Sequence, residues 1–192
     1  MADITPDTEL ERPESAAAKQ SPESAREAAP PDPQSLRIIE LLFFAYRDFT
    51  ADADAILAEL GFGRAHHRAL HFICRHPGIR VANLLEILKI TKQSLARVLK
   101  DLRDRGFITQ MRGETDRRER LLYPRQDGQT LIARLAGRQS ERINAALRAS
   151  GADAPETVAE FLFTMIRAEE REDIARLIAT GDGLDPNGEE GQ

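Results

Sequence analysis

The sequence predicts a mainly α-helical chain carrying one small β-hairpin, with long helices on either side of it. Three observations lead there. Apolar residues recur at helical spacing through most of the chain beyond residue 35. Only FITQMRGETDRRERLLYP, residues 107–124, reads as two strand-forming runs about a polar tip, with Phe107, Ile108, Leu121, Leu122 and Tyr123 as the strand formers. Charge is also segregated: the chain is −5 overall, yet residues 62–125 hold 15 basic against 6 acidic side chains.

That +9 block is an electrostatic footprint for a polyanion set inside an otherwise acidic chain. Residues 1–34 carry a net −5 and residues 168–192 a net −6. Hydrophobic residues make up 41% of the chain, enough for a core. No apolar run approaches the ~20 residues a membrane helix needs, so no membrane partner is expected. The opening MADITPDTELERPES lacks the basic start and apolar middle of a secretory signal. A single cysteine, Cys74, excludes an internal disulfide framework and suits a reducing cytoplasm.

Along the chain, residues 1–34 are rich in Pro, Glu, Ser and Ala and read as a disordered tail, because they cannot bury enough apolar area to offset ordering entropy. Residues 181–192 read the same way. A first helix is expected over residues 35–62, with Ser35 as N-cap and Gly61 as the stop. Leu36, Ile39, Leu42, Phe43 and Tyr46 form its stripe, but Ile38, Leu41 and Phe44 make it apolar nearly all round. Such a helix needs more cover than a small domain supplies, which points to a partner subunit. GRAHHRALHFICRHPG follows as a helix with Leu70, Ile73 and Cys74 inward. Two helices close the chain, roughly Gln126–Ala149 and Ala154–Ala179, within residues 126–180. Phe161, Leu162 and Met165 on the last read as further subunit contacts.

Between these, VANLLEILKITKQSLARVLKDLRDRG has the form of a helix-turn-helix. Val81, Leu84, Leu85 and Leu88 line the first helix. Lys89-Ile90 make the turn, Thr91 caps the second helix, and Leu95, Val98, Leu99 and Leu102 face inward. Its outer face presents Lys92, Gln93, Ser94 and Arg97. A recognition helix reads the major groove through its N-terminal residues, and Gln and Arg suit adenine and guanine edges. The hairpin follows at once, within residues 63–125, and its tip holds Arg112, Asp116, Arg117, Arg118 and Arg120. A helix-turn-helix followed by a basic two-stranded tip is a winged helix, the wing adding phosphate or minor-groove contacts.

Residues 63–131 resemble the MarR family of bacterial winged helix-turn-helix regulators. The resemblance lies in LLEILKITKQSLARVLKDLRDRGFI, in Asp116-Arg117-Arg118 and in a following helix with Gly128 near its start. GFGRAHHRALHF with ILKITKQSLARVL is most similar to the PetP-like, alphaproteobacterial branch. The resemblance implies a homodimer with interleaved first and last helices, bound to a pseudo-palindromic operator in double-stranded DNA. It also implies that Asp116 braces the wing while Arg118 reaches the duplex, and that any small-molecule effector would act on the spacing of the two recognition helices. Where many members carry a Leu-Thr pair after the wing, this chain has Pro124-Arg125, so the next helix must be capped differently.

His67 and His71 stand at a spacing that can hold zinc, with His66 beside them, but no Asp or Glu sits near them in sequence to complete a site. Hydrogen-bonded histidines are the plainer reading, and Cys74 reads as buried rather than as a redox sensor. No phosphate loop, nucleophile elbow or carboxylate pair suggests an enzyme, and the sequence calls for no cofactor or metal. Two alternatives to a DNA-binding regulator remain: a winged-helix module for protein partners, and a zinc sensor built on the histidine cluster.

Overall fold

The computed structural model describes residues 30–181. The chain divides into two compact units, residues 1–39 and 40–192. The first unit contributes the start of α1 (Pro33–Glu59). The cap there is Asp32 and not Ser35: the Asp32 carboxylate accepts from the backbone N–H groups of Gln34 and Ser35 at 2.9 and 3.0 Å. Pro33 suits the first helical position, where a missing N–H costs nothing, so Asp-Pro outcompetes the serine three residues on. Most of the expected 1–34 tail, and all of 181–192 but Gly181, lies outside the described residues.

The second unit holds the rest of α1 and every other element: α2 (Arg64–Arg75), β1 (Ile79–Arg80), α3 (Val81–Leu88), α4 (Lys92–Asp104), β2 (Ile108–Arg112), β3 (Arg120–Pro124), α5 (Gln126–Ser150), α6 (Ala154–Thr164) and α7 (Arg171–Gly181). The sheet is antiparallel in the order β1-β3-β2. The fold is thus mainly helical with a small sheet, as the sequence predicts. The two-residue β1 is an addition that the sequence hides, since two residues have no periodicity; it exists because Ile79 and Arg80 pair with Leu122 and Leu121.

One core sits at the centre of α2, α3, α4 and the sheet. Leu70, Ile73, Leu84, Leu95, Leu102, Ile108 and Leu122 are essentially sealed from solvent. The long helices join this core by one end only. In α1 the buried residues are Thr50, Ala53, Ile56 and Leu57, and in α5 they are Gly128, Leu131 and Leu135. At about 1.5 Å per residue, over 20 Å of α5 runs on without a buried side chain. In its place large apolar groups stand in solvent: Leu41, Phe43, Phe44 and Tyr46 on α1, and Phe161, Leu162, Phe163 and Met165 on or next to α6. In the first unit, Leu36 and Ile39 are exposed too.

The last predicted helix is in fact two. It breaks after Thr164, passes through a single 3-10 turn at Ala168–Glu170, and resumes as α7. No Gly or Pro marks the break. Arg171 makes it tenable, donating from Nε to the Ile166 carbonyl at 2.9 Å and from Nη2 to the Thr164 carbonyl at 2.5 Å. Helix-end carbonyls need such partners, and a guanidinium supplied from the following helix is invisible to local sequence patterns.

Candidate nucleic-acid interface

The outer face of α4 is prepared by its first turn. Thr91 is extended (φ −70°, ψ 150°), and its hydroxyl accepts from the Ser94 backbone N–H at 3.1 Å. Thr91 Oγ1 also donates to Ser94 Oγ at 2.9 Å. Leu95, Val98, Leu99 and Leu102 fix the buried face, so Thr91, Lys92, Gln93, Ser94 and Arg97 are all turned to solvent. The structure therefore brings the five residues singled out on this helix to one exposed end and side.

The preceding turn is tight because Lys89 adopts the left-handed conformation, φ 51° and ψ 44°. For a side chain other than Gly this costs about 1–2 kcal/mol. Its N–H closes on the Leu85 carbonyl at 3.0 Å, while Ile90 packs against the core. The Arg68 guanidinium, from α2, reaches the Leu88 carbonyl at 3.3 Å and satisfies the end of α3.

The wing is β2, β3 and the loop between them. Arg112 and Arg120 face each other as the last pair of the ladder. Within the loop, Asp116 Oδ1 accepts from the Arg118 N–H at 2.8 Å, and Glu119 N–H donates to the Asp116 carbonyl at 3.0 Å. Gly113 leaves no room for a side chain: a Cβ there would stand 2.6 Å from the Asp116 carbonyl oxygen. Arg120 turns back and donates to the Arg117 carbonyl at 2.9 Å. Arg112, Arg117 and Arg118 point to solvent. From β1, Arg80 pairs with Glu119 at 3.0 Å and ties the wing loop to the start of α3.

Charge pairing separates two kinds of cation. Arg64, Arg80, Lys89 and Lys100 each have a carboxylate partner: Asp54, Glu119, Glu170 and Asp104. Among the described residues, no carboxylate pairs with Lys92, Arg97, Arg112, Arg117 or Arg118, all exposed. These five lie on the N-terminal half of α4 and on the wing, while Arg37, Arg68, Arg105, Arg125 and Arg148, also exposed and without a carboxylate partner among the described residues, are scattered over α1, α2, the end of α4 and the two ends of α5.

The histidines are otherwise engaged. His66 accepts the Gly63 N–H on Nδ1 at 3.2 Å, which caps α2, and its Nε2 lies 3.3 Å from Asp101 on α4. Its ring stacks on Phe62 at 4.6 Å, and Phe62 also lies under the Arg105 guanidinium at 4.5 Å. Loop and recognition helix are thereby joined. Burial lowers the pKa of His67 and of His71, with His67, Arg75 and His76 adding to the effect on His71. Among the described residues, no three His, Cys, Asp or Glu side chains converge as a metal site. Burial pushes the Cys74 thiol up to about 12, against the thiolate a redox sensor needs.

At the exit from the wing, Arg125 is extended and gives no side-chain cap to α5. Its N–H donates to the Phe107 carbonyl at 2.9 Å, and Gly128 brings α5 so close that a Cβ would stand 2.3 Å from the same oxygen. Backbone contact takes the place of the cap that Pro124-Arg125 lacks.

Comparison with known proteins agrees with this geometry. Residues 60–119 match the model of the MarR family. Over 130 residues the chain is 48% identical to the HTH-type transcriptional regulator PetP of Rhodobacter capsulatus, covering 68% of this chain and 76% of that one. The fold is similar to the transcriptional regulator SlyA, with a TM-score of 0.56 at 22% identity over 72% of this chain and 95% of that one. It is also similar to a MarR mutant from E. coli solved with operator DNA, with a TM-score of 0.55 at 16% identity over 70% and 96%.

Proposed function

The chain belongs to the MarR family, and from that premise we propose that it acts as a homodimeric, sequence-specific DNA-binding regulator of transcription. The observation that carries this reading is the group of five exposed cations without carboxylate partners, Lys92, Arg97, Arg112, Arg117 and Arg118, on the two elements with which a winged helix meets a duplex.

In this reading Lys92, Gln93, Ser94 and Arg97 enter the major groove, with Thr91 holding the first turn of α4 in shape. Arg118 reaches the neighbouring minor groove or its phosphates, Arg112 and Arg117 add backbone contacts, and Arg120 stiffens the tip. Asp116 sets the direction of Arg118 through its hydrogen bond to that residue's N–H. Phe43, Phe161, Leu162 and Met165, with Ile39 and Leu42, form the subunit contact, since exposed large apolar groups of this number need cover. An effector would regulate only by binding more tightly to one spacing of the two recognition helices than to the other.

The test is selection of duplexes from a genomic pool by the wild-type chain, followed by anisotropy with Arg97→Ala and Arg118→Ala. Retention of a preferred duplex at near-physiological salt, with preference lost in Arg97→Ala, supports the reading. Binding that vanishes at that salt with no duplex preferred would leave only a polyanion patch.

A further inference from the structure

We propose that Lys89 is a further phosphate-binding residue, and that the segment Ala168–Gly181 competes with DNA for it by presenting Glu170. The inference rests on the DNA-binding reading above and adds to it a residue and a built-in competitor.

Lys89 lies two residues before Thr91, the cap that opens α4. In a helix-turn-helix that end of the recognition helix approaches the groove, whose rims are phosphates. Its backbone is left-handed, the region that favours glycine, yet the position carries a lysine with more than half of its side chain exposed. A charged side chain where glycine would fold more easily is the kind of strained site that points to function.

In this structure Lys89 Nζ is bonded to Glu170 Oε1, with Arg167 4.0 Å from the same carboxylate. Carboxylate and phosphate oxygens serve an ammonium group alike. Bonding to Lys89 is the largest influence holding the Glu170 carboxyl below its ordinary value.

Glu170 is delivered by anchors that do not involve Lys89. Leu177 of α7 faces His76, Ile79, Asn83 and Ile87 of the winged helix across an open cleft. Arg75 Nη2 donates to the Ile178 carbonyl at 3.5 Å. Gly181 sits against the same guanidinium, whose nearest atoms are 2.7 Å from where a Cβ would be. The Arg75 contacts to α7 do not pass through Lys89, so exchanging Glu170 for a phosphate requires only a side-chain movement of Lys89. Because the free chain already satisfies Lys89, part of its attraction for DNA is cancelled, and the cancellation fades as salt weakens the ion pair.

The experiment is anisotropy on one non-specific duplex across a salt series, using full-length wild type, Glu170→Gln, Lys89→Met, Lys89→Gly and the double variant Glu170→Gln/Lys89→Met. Glu170→Gln is expected to tighten binding about two- to fivefold at low salt, the range of a single exposed ion pair. It should also steepen the salt slope by up to about one unit. Lys89→Met weakens binding, and by more in the Glu170→Gln background than alone. Lys89→Gly weakens binding as much as Lys89→Met does but has the higher Tm of the two, because only the glycine relieves the left-handed backbone. Unchanged affinity and slope in Glu170→Gln, or weaker binding, would overturn the inference even if Arg97→Ala loses duplex preference as proposed above. Conversely, the expected salt pattern with no preferred duplex would uphold it and sink the sequence-specific reading.

Discussion

Asp116 and Arg118 are joined across the wing tip by a hydrogen bond 2.8 Å long, from the Arg118 backbone N–H to the Asp116 carboxylate. The arginine side chain is left free because its own backbone is what the aspartate holds. Asp116→Ala should therefore weaken duplex binding by about tenfold, near the ~1–3 kcal/mol of one positioned contact, with little change in Tm. Asp116→Asn, which keeps an acceptor, should retain most of the affinity. Anisotropy beside thermal unfolding checks both; a large Tm loss in Asp116→Ala would make the aspartate a stability residue.

Gly128 admits no side chain. The 2.3 Å approach of a Cβ to the Phe107 carbonyl oxygen sets backbone against backbone. Gly128→Ala should destabilise by roughly 2–3 kcal/mol, the upper range for overpacking, and lower the Tm by about 5–10 °C. An unchanged Tm would mean that α5 can lift from the sheet freely.

Stability should depend on pH through His71. Burial lowers its folded-state pKa below the ordinary 6.5, so near pH 6 the unfolded chain binds more protons than the folded one. The contribution is present above pH 6.5 and is lost as pH falls from there through the folded value. His67 acts in the same direction. Urea unfolding from pH 7.5 to 5.5 should show falling stability, and His71→Gln should flatten that slope. A slope unchanged in His71→Gln would place the effect in other groups.

The exposed apolar side chains of α1 and α6 give a mass prediction. Light scattering should return about twice the 21.4 kDa chain mass for wild type. Phe43, 70% exposed, carries more open apolar surface than any other described side chain of its kind. Phe43→Glu should shift the population strongly toward monomer, since a carboxylate buried without a partner is costly. A wild type that stays monomeric at micromolar concentration would contradict the homodimer.

Legibility in the sequence followed the range of the physics. The α4 stripe and its Thr91 cap are local, within one or two turns, so their periodicity and chemistry were readable and the five outward residues fell into place. The hairpin was readable because its strand formers flank a polar tip. Lys89 reads as part of a tight junction, but its left-handed backbone and its bond to Glu170, 81 residues away, leave no local mark. The same holds for β1, defined only by Leu121 and Leu122, and for the break after Thr164, held by Arg171. Ser35 differs: Asp32-Pro33, three residues upstream, is the stronger local start signal but stands inside a stretch whose composition reads as a tail.

The most direct measurement of the central claim is a hydroxyl-radical footprint of the wild-type chain on its selected duplex at near-physiological salt. Two protected half-sites are expected about 10–10.5 base pairs apart centre to centre, or a multiple of that, with protection lost in Arg97→Ala. A single protected patch, or protection that slides along the duplex and is indifferent to Arg97, would contradict it.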